Sequence, residues 1–525
     1  MKYPIGIQTF EQIINNGFVY VDKTDMVYAL ATEGKTYFLS RPRRFGKSLL
    51  LSTLRAYFEG KKELFKGLKI DKLEKDWHAH RVLHIDFNGV VFTRPGALED
   101  ELDKQLSTWE EEYHLPKGTR EMYGWRFEQI VQAIYTETGR GAVVLIDEYD
   151  KPLLDVLEMD PELLNNNREI LKAFYSVFKR TDAYLRFVFL TGVTKFSQVS
   201  VFSGFNQPLD ISMTEKFEAL CGITEEELHT QFAEPIREMA QAENCTEEEM
   251  KLQLKKHYDG YHFSKQMADI YNPFSILNAF YNKDIRDFWF ATGTPTYLIR
   301  LMNHFNEGID ELTGREYSLD EFVNYKADTE YPLPMIYQSG YLTIKNYDRE
   351  MDMFLLDFPN NEVKRGFLAM VASNYLQSGQ PMDSWIKRAV LSLRRGQIDQ
   401  FRQMLTAFLA SIPYSMRRKD EERERERYFQ YTFYLLLRLM SVYTIYIEKE
   451  QSEGRVDCVI ETPQFVYIFE FKLDGTAAGA LQQIEDKGYA REYEADARPV
   501  HKIGVNFSSE TGTIEGWEHA VKLAQ

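Results

Sequence analysis

One stretch near the N-terminus constrains the fold of this chain more than any other. Residues 36–50 read Thr-Tyr-Phe-Leu-Ser-Arg-Pro-Arg-Arg-Phe-Gly-Lys-Ser-Leu-Leu, which predicts an apolar strand, a tight loop and the start of a helix. This is the layout of a phosphate-binding loop, in which backbone N–H groups at a helix N-terminus bind phosphate oxygens. The stretch therefore predicts a parallel α/β sheet that binds a nucleotide.

The chemistry of this loop rests on Gly46, Lys47 and Ser48. The Lys47 ammonium would reach the β and γ phosphates of ATP, and the Ser48 hydroxyl would ligate Mg²⁺. Arg41 stands where the usual pattern has its first glycine, and a plain basic turn is the alternative interpretation. The residues expected to contact the nucleotide here are Arg43, Arg44, Phe45, Gly46, Lys47, Ser48 and Leu49.

A second strand carries the predicted catalytic carboxylates. Five apolar residues, 142–146, lead directly into Asp147 and Glu148. A continuous apolar run is typical of a buried parallel strand, and parallel sheets bind ligands where their strands end. We expect Asp147 to hold Mg²⁺ through water and Glu148 to orient the attacking water. A buried strand with ordinary turn carboxylates is the alternative, and Asp150 and Lys151 are expected to be surface or pairing residues.

Further alternating segments extend the α/β pattern. Strands are predicted at 82–87 and 185–190, and helices at 98–112 and 125–137. The strand at 185–190 ends in Thr-Gly-Val-Thr-Lys, where a polar side chain would sense the γ phosphate. A simple strand-ending turn is the alternative. The candidate sensor residues, among which the sequence does not choose, are Thr191, Thr194 and Lys195.

Two C-terminal strands carry a second group of charged residues. Residues 454–460 and 466–472 predict an antiparallel hairpin, so Asp457 lies opposite Glu470. Glu470 and Lys472 are two residues apart and share one face of their strand. Two carboxylates within reach of each other can hold one or two Mg²⁺ ions, and the lysine can orient the attacking water. A surface hairpin with a cross-strand charge group is the alternative.

Four segments together carry a family resemblance. Tyr-Val-Asp-Lys-Thr at 20–24, Arg-Pro-Arg-Arg-Phe-Gly-Lys-Ser at 41–48, Leu-Ile-Asp-Glu-Tyr-Asp at 145–150 and Thr-Gly-Val-Thr-Lys-Phe at 191–196 resemble the AAA-ATPase-like family. These bacterial proteins typically carry a PD-(D/E)XK nuclease-like domain at the C-terminus. The resemblance covers most of the chain and implies ATP binding. The loop with Arg41 is that family's own variant.

The C-terminal strands resemble the core of PD-(D/E)XK nucleases. The resemblance places Asp457, Glu470 and Lys472 in the motif positions, with the two carboxylates as metal ligands. It also implies that Glu426, on the preceding helix, is a fourth member and that Gln483 belongs to the later glutamine-containing helix. The implied function of this group is metal-dependent cleavage of nucleic acid.

The middle of the chain is expected to be largely helical. Thr224 and Thr246 each begin a Thr-Glu-Glu-Glu run, which is typical of a helix start. Residues 291–298 resemble the Gly-x-Pro turn of signal-transducing ATPases, which implies an adenine contact from Pro295. Residues 333–345 resemble the helix-to-strand end of a winged helix. The expected domains are an AAA-ATPase-like P-loop domain at 1–215, a helical and winged-helix-like lid at 216–350, a helical connector at 351–415 and a nuclease-like α/β domain at 416–525.

Composition narrows the class of protein. The chain has 525 residues, enough for about three or four domains. Its net charge of −17 argues against a general nucleic-acid coat. Three cysteines without pairing or metal-ligand spacing indicate a reducing compartment. We find neither a signal segment nor an apolar run of about 18 residues, so we expect a cytoplasmic protein without a membrane span.

Three functions remain open from the sequence. The first is an ATP-controlled nuclease, because two Mg²⁺-type groups occur on one chain. The second is a regulatory nucleotide switch that does not cut, and the third is a DNA-binding protein that uses the winged-helix-like unit. The expected cofactors are ATP and Mg²⁺, and the expected partners are a nucleotide and a nucleic acid. A homo-oligomer is open, with Arg180 as a candidate for acting on a neighbouring subunit's ATP.

Overall fold

The structure, a computed structural model, divides the chain into two compact units. These are Met1–Lys364 and Arg365–Gln525, so the connector expected at 351–415 spans the junction between them. The residues that the structure describes are 1–120, 122–195, 208–291, 312–323, 331–376, 382–411, 432, 436, 444–451 and 454–522.

The first unit is built on a five-stranded parallel sheet. Its strands are β1 (Thr36–Ser40), β2 (Val82–Asp86), β3 (Ala142–Asp147), β4 (Leu185–Gly192) and β5 (Leu209–Asp210). They run in the order β2-β3-β4-β1-β5, so β4 lies between β1 and β3. Every residue of β3 is buried, as its apolar run predicts. The ends of β1, β3 and β4 meet at one edge of the sheet, where ligands of parallel sheets bind.

Helices surround this sheet and continue through the first unit. The helix Lys47–Phe58 follows the predicted phosphate-binding loop. The helices predicted at 98–112 and 125–137 are Ala97–Glu112 and Tyr123–Thr138. Other α-helices of the described residues here are Phe10–Asn15, Thr24–Glu33, Lys69–Leu73, Lys151–Leu154, Pro161–Tyr175, Val177–Arg180, Glu225–Gln231, Ala233–Ala242, Glu247–Tyr258, Pro273–Asn282, Phe288–Ala291, Leu319–Val323 and Leu333–Gln338.

Two helices of the middle segment begin at capping boxes. The Thr224 side chain accepts the N–H of Glu227, and the Glu227 carboxylate accepts the N–H of Thr224. Thr246 and Glu249 form the same reciprocal pair at the start of the next acidic helix. Each box pairs two N–H groups that a helix start leaves free, so the two predicted helix starts are confirmed. Beside the first box, the short strands β6 (Ile223–Thr224) and β7 (Ile270–Tyr271) pair antiparallel.

A small antiparallel sheet combines one strand before the helix Leu333–Gln338 with two strands after it. Its strands are β8 (Arg315–Tyr317), β9 (Thr343–Asp348) and β10 (Met353–Asp357), in the order β8-β10-β9. A helix followed by a strand is the order expected at 333–345. The assignment of this part as a winged-helix-like lid stays a prediction.

The second unit combines helices with a mixed five-stranded sheet. Its strands are β11 (Thr444–Gln451), β12 (Gly454–Glu461), β13 (Val466–Leu473), β14 (Val500–Phe507) and β15 (Ile514–Lys522), paired in chain order. β13 and β14 run parallel and the other neighbours antiparallel, so the predicted β12–β13 hairpin is confirmed. The helices are Asn361–Leu376, which crosses the junction, Met382–Arg394, Ile398–Ala410 and Ala477–Asp486.

None of the helices in the described part of the chain is both long and apolar enough to cross a bilayer.

Candidate functional sites

The phosphate loop, residues 41–48, turns into its helix at a glycine. Gly46 has a φ of 95° and lies directly before the helix Lys47–Phe58. This left-handed backbone is easy for glycine and strained for residues with a side chain. The turn leaves the unpaired N–H groups of the first helical turn at the loop, where they are available to an anion.

Lys47 lies beneath this loop with 4% of its side chain exposed. Its Nζ donates to the backbone oxygen of Arg41 at 3.0 Å and lies 3.4 Å from Oε1 of Glu148. The ammonium is therefore next to the carboxylate that the sequence predicts to orient water. A phosphate in the loop would compete with these two oxygens for Lys47.

The predicted metal ligands of the first unit lie in direct contact. Ser48 Oγ donates to Oδ2 of Asp147 at 2.6 Å, and Thr191 Oγ1 donates to Oδ1 of the same carboxylate at 2.6 Å. Asp147 is almost fully buried at the end of β3. Hydroxyl and carboxylate oxygens are the hard ligands that Mg²⁺ prefers, so Ser48 and Asp147 fit the ion.

Glu148 follows Asp147 in a backbone conformation that is uncommon for a residue with a side chain. Its φ is 52°, and its N–H donates to Oδ1 of Asp147 at 3.1 Å. Strained backbone of this kind clusters at functional sites, where the surrounding structure must maintain it. The backbone turns at Glu148, directly after β3, and the Glu148 carboxylate contacts Lys47.

Arg41 is a structural residue of the loop that the motif alone does not reveal. Its guanidinium is 1% exposed and lies 4.0 Å from the centre of the Phe263 ring. It donates to backbone oxygens of the loop and of the following segments, which lie at Ser40 (2.9 Å), Ser212 (2.7 Å), Phe217 (3.4 Å) and Glu218 (3.4 Å). The only sequence signal for this role is an arginine at a position where the usual pattern has glycine.

Three further loop residues contact the helical segment after residue 260. Trp289 Nε1 donates to the backbone oxygen of Arg43 at 3.1 Å. The Arg44 guanidinium lies 5.2 Å from the centre of the Phe274 ring. Phe45 is buried among aromatic rings. The loop is therefore packed on its outer side by the segment that the sequence predicts to be a lid.

The candidate sensor side chains at the end of β4 all contact carboxylates of the protein. Each is within hydrogen-bond distance of one acidic residue. Thr191 Oγ1 donates to Asp147 at 2.6 Å, Thr194 Oγ1 donates to Asp150 at 2.7 Å, and Lys195 Nζ lies 2.7 Å from Asp210. A hydroxyl has one hydrogen to donate, so Thr191 or Thr194 would have to leave its present partner in order to donate to a phosphate, whereas the Lys195 ammonium has further donors.

The prediction that Asp150 is an ordinary surface or pairing residue is wrong. Its side chain is fully buried, and its Oδ2 accepts from the N–H groups of Val193 and Thr194 at 3.0 Å and 2.6 Å. The apolar run before it gave no sign of this, because the partners directly follow β4, more than forty residues further along the chain. Lys151 does pair, with Asp155 at 2.5 Å.

A polar cavity of about 340 Å³ opens beside Ser48 and Asp147. It is also lined by His84 and Asp86 from β2, which sequence reasoning did not select. Asp86 pairs in register with Asp147 at the same sheet edge, and burial raises the pKa of its carboxyl. A carboxylate at the end of a predicted parallel strand was the available signal.

Leu49, Pro295 and Glu426 are also predicted site residues. Leu49 lies in the first turn of the helix Lys47–Phe58. Pro295 and Glu426 lie outside the described residues.

The second unit brings four predicted residues together, and we call Asp457, Glu470, Lys472 and Gln483 the C-terminal site. Asp457 precedes Cys458, which pairs with Phe469 across the hairpin. Asp457 Oδ2 accepts the N–H of Phe471 at 2.8 Å. Gln483 on the helix Ala477–Asp486 donates through Nε2 to Oε1 of Glu470, and its Oε1 accepts from Lys472 at 2.7 Å.

Glu470 is the electrostatic centre of the C-terminal site. Burial raises the pKa of Glu470 to about 7, and the Asp457 charge adds to the rise while Lys472 opposes it. Its Oε2 is buried and has no hydrogen-bond partner among the described residues. A divalent cation would satisfy this oxygen and offset the repulsion from Asp457, so the donor set fits a metal ion.

Comparison with known proteins agrees with both halves of this architecture. A family model described as "Predicted AAA-ATPase" matches residues 4–202, and one for the PD-(D/E)XK nuclease superfamily matches residues 424–517. A protein of Azotobacter chroococcum mcd 1, called "Uncharacterized protein in vnfD 5'region", is 36% identical over 525 residues and is covered to 98%, as is this chain. The chain belongs to the AAA-ATPase-like family. This member of the family also carries a PD-(D/E)XK nuclease superfamily domain.

Two solved structures are similar to this AAA-ATPase-like protein at low identity. The ORC2 protein of Aeropyrum pernix, in ADPNP–ADP complexes, is 12% identical with a TM-score of 0.26 and covers 67% of this chain and 94% of its own. The ORC1 protein of the same organism, in complex with DNA, is 11% identical with a TM-score of 0.23 and covers 67% and 93%.

Proposed function

We propose that this protein binds and hydrolyses Mg·ATP in its first unit and cleaves nucleic acid in its second. The observation that carries the first half is the meeting of Ser48, Asp147, Lys47 and Glu148 at the ends of β1 and β3. The second half is supported by Asp457, Glu470, Lys472 and Gln483 converging on one side of a mixed sheet.

In the first unit each residue has a separate task. The loop N–H groups and the Lys47 ammonium bind phosphate oxygens, and Ser48 and Asp147 supply oxygen ligands for Mg²⁺. The ion, when bound, neutralises phosphate charge. Glu148 orients the attacking water and accepts its proton at a carboxylate oxygen. Lys47 now contacts this carboxylate, so ATP binding would free Glu148 by drawing the ammonium to phosphate.

In the second unit the residues of the C-terminal site are arranged for attack on a phosphodiester. Asp457 and Glu470 supply metal-ligand oxygens, and a bound divalent ion would activate water and stabilise the charged transition state. Lys472 lies 3.8 Å from Oε1 of Glu470, where its ammonium can orient water or offset developing charge. Gln483 contacts both residues and fixes their relative position.

The ATP assignment is tested by binding and turnover of two variants. Lys47→Ala should weaken ATP binding roughly 100-fold, because a buried charged contact is lost. Glu148→Gln should bind ATP normally and lower the hydrolysis rate about 100-fold or more. Titration calorimetry and phosphate release measure these effects, and Lys66→Ala, at an exposed lysine, is the matched control. Unchanged affinity in Lys47→Ala would exclude the loop as the nucleotide site.

The nuclease assignment is tested with labelled DNA and RNA in Mg²⁺ or Mn²⁺, with and without ATP. The wild-type protein should cleave, and the variants Asp457→Ala and Lys472→Ala should each have lost this activity. Lys487→Ala, at an exposed lysine of the same unit, should cleave normally. Cleavage that persists in both site variants would come from another source and would remove the C-terminal site from the reaction.

A nucleotide switch without cutting is the second candidate function. It is supported by the contacts of the phosphate loop with Trp289 and Phe274, through which bound nucleotide can alter the packing of the middle segment. It predicts tight ATP binding with slow hydrolysis and no cleavage under any of the metal conditions above.

The three cysteines are free thiols, which supports a reducing, cytoplasmic setting for either function.

A further inference from the structure

The ends of β3 and β4 are joined by one buried carboxylate. Asp150 Oδ2 accepts three hydrogen bonds, from the N–H of Val193 at 3.0 Å, the N–H of Thr194 at 2.6 Å and the hydroxyl of Thr194 at 2.7 Å. Asp150 and Thr194 are both 0% exposed. We call this contact the Asp150–Thr194 bridge.

Backbone contacts make the Asp150–Thr194 bridge part of the turn that carries Glu148. The N–H of Tyr149 donates to the oxygen of Thr191 at 2.9 Å, and the Tyr149 hydroxyl donates to the oxygen of Thr194 at 2.9 Å. A side chain at Gly192 would place its Cβ 2.6 Å from the Tyr149 ring and 2.8 Å from Asp150 Oδ1. Glycine at this position therefore allows the two strand ends to approach.

The Asp150–Thr194 bridge has a higher cost in desolvation free energy than a purely structural contact needs. Burial raises the pKa of Asp150 to about 6, and the Glu148 charge adds to the rise. A neutral pair of side chains would join the strands without burying a carboxylate. Asp150 Oδ1 is buried without a hydrogen-bond partner among the described residues, so the carboxylate is not fully compensated.

We propose that Asp150 is a positioning residue that acts through Thr194 and the residue 148–150 turn to set the Glu148 carboxylate for ATP hydrolysis. The inference rests on the proposed ATPase function. Glu148 has a φ of 52°, and a strained residue keeps its conformation only when its neighbours determine it. Asp150, two residues later, maintains this conformation because its hydrogen bonds hold the turn against the end of β4. Thr194 is in this account a partner of Asp150 and not a ligand of the nucleotide.

The test compares Thr194→Val, which removes the hydroxyl, with Thr194→Ser, which keeps it. Each variant is made in the wild type and in Glu148→Gln, and single-turnover hydrolysis and ATP affinity are measured. Thr194→Val should lower the rate about tenfold or more, since misplacing a catalytic group costs this much, and should leave ATP affinity within about twofold. Thr194→Ser should restore the rate. In Glu148→Gln, Thr194→Val should have no further effect, because the group on which it acts is absent.

Two results would overturn the proposal. One is wild-type hydrolysis in Thr194→Val; the other is an equal loss in both backgrounds, which would show an action independent of Glu148. Wild-type hydrolysis in Glu148→Gln alone would instead remove the catalytic role of Glu148 and the positioning role with it. If Thr194→Val does not fold, Asp150→Asn replaces it. Amide hydrogen exchange of residues 191–195 in the nucleotide-free protein tests the Asp150–Thr194 bridge without a hydrolysis assay. Amide protection equal to that of the wild type in the variant would contradict the proposal.

Discussion

At the scale of single residues, Arg41 shows how this loop differs from the usual phosphate-binding pattern. Glycine normally occupies its position because the backbone must stay unobstructed. Here the arginine points away into the protein, where its guanidinium binds backbone oxygens of residues 212, 217 and 218 and lies on Phe263. The departure from the pattern therefore stabilises the loop instead of weakening it.

Replacing Arg41 by glycine should damage the protein even though it restores the usual motif. Arg41→Gly removes the guanidinium donor from several backbone oxygens and opens a cavity, so the free energy of unfolding should fall by about 3 kcal/mol or more. ATP affinity should also fall, because the loop loses its attachment. Denaturant unfolding and calorimetry measure the two effects, with Arg349→Ala, at an exposed arginine of the same unit, as the control. Higher ATP affinity in Arg41→Gly would contradict this account.

A buried acid in the same unit predicts how stability depends on pH. Burial raises the pKa of Glu362 to about 7, and Asp287 adds to the rise, while Ser275 Oγ and the N–H of Trp289 donate to the carboxylate. A folded-state pKa above the unfolded value stabilises at low pH, and this stability is lost as pH rises from about 4.5 to about 7.

Glu362→Gln should therefore reduce the loss of unfolding free energy between pH 5 and pH 8. The difference from wild type should be at most about 3 kcal/mol, and the variant should be the more stable protein at pH 8. Urea unfolding at the two pH values measures it. Identical pH dependence in the two proteins would show that Glu362 ionises normally in the folded state.

At the scale of elements, two helices begin with the same capping box and differ in what surrounds it. Thr246 and Glu249 cap an exposed helix start. Glu227 performs the same capping and also lies 2.5 Å from Nζ of Lys23, a lysine that is 7% exposed. Burial lowers the pKa of Lys23, so this pair exists at a cost in desolvation. Identical local sequence therefore leads to different tertiary roles.

The two boxes predict unequal losses for equivalent substitutions. Glu249→Ala removes one exposed cap contact and should lower the free energy of unfolding only slightly. Glu227→Ala also leaves the Lys23 ammonium buried without its partner and should cost about 3 kcal/mol or more. Chemical denaturation measures both, and each variant is the control for the other. Equal losses would mean that the Lys23–Glu227 pair contributes nothing beyond the cap.

At the scale of the whole molecule, two compact units each contain a set of residues suited to a metal ion and a phosphate. In the first unit the set lies at the end of a parallel sheet, and in the second on a hairpin with one helix packed against it. Each set lies wholly within one unit of the chain. The two proposed activities should therefore be separable by mutation.

Separation is tested by measuring both activities in two variants. Lys47→Ala should remove the effect of ATP on cleavage and leave cleavage without ATP unchanged. Lys472→Ala should abolish cleavage and leave ATP hydrolysis within about twofold of wild type. An ATP effect that persists in Lys47→Ala would place the controlling nucleotide elsewhere.

The sequence by itself predicted several elements of this protein and most residues of the two candidate sites. A continuous apolar run identified β3, and side chains two apart on a strand placed Glu470 and Lys472 together, because these patterns follow from local backbone geometry. The positions of Arg41, Asp150 and Asp86 were decided only by tertiary structure. Their partners lie on other strands or distant segments, and no local pattern states which buried oxygen or amide a side chain will meet once the sheet has assembled.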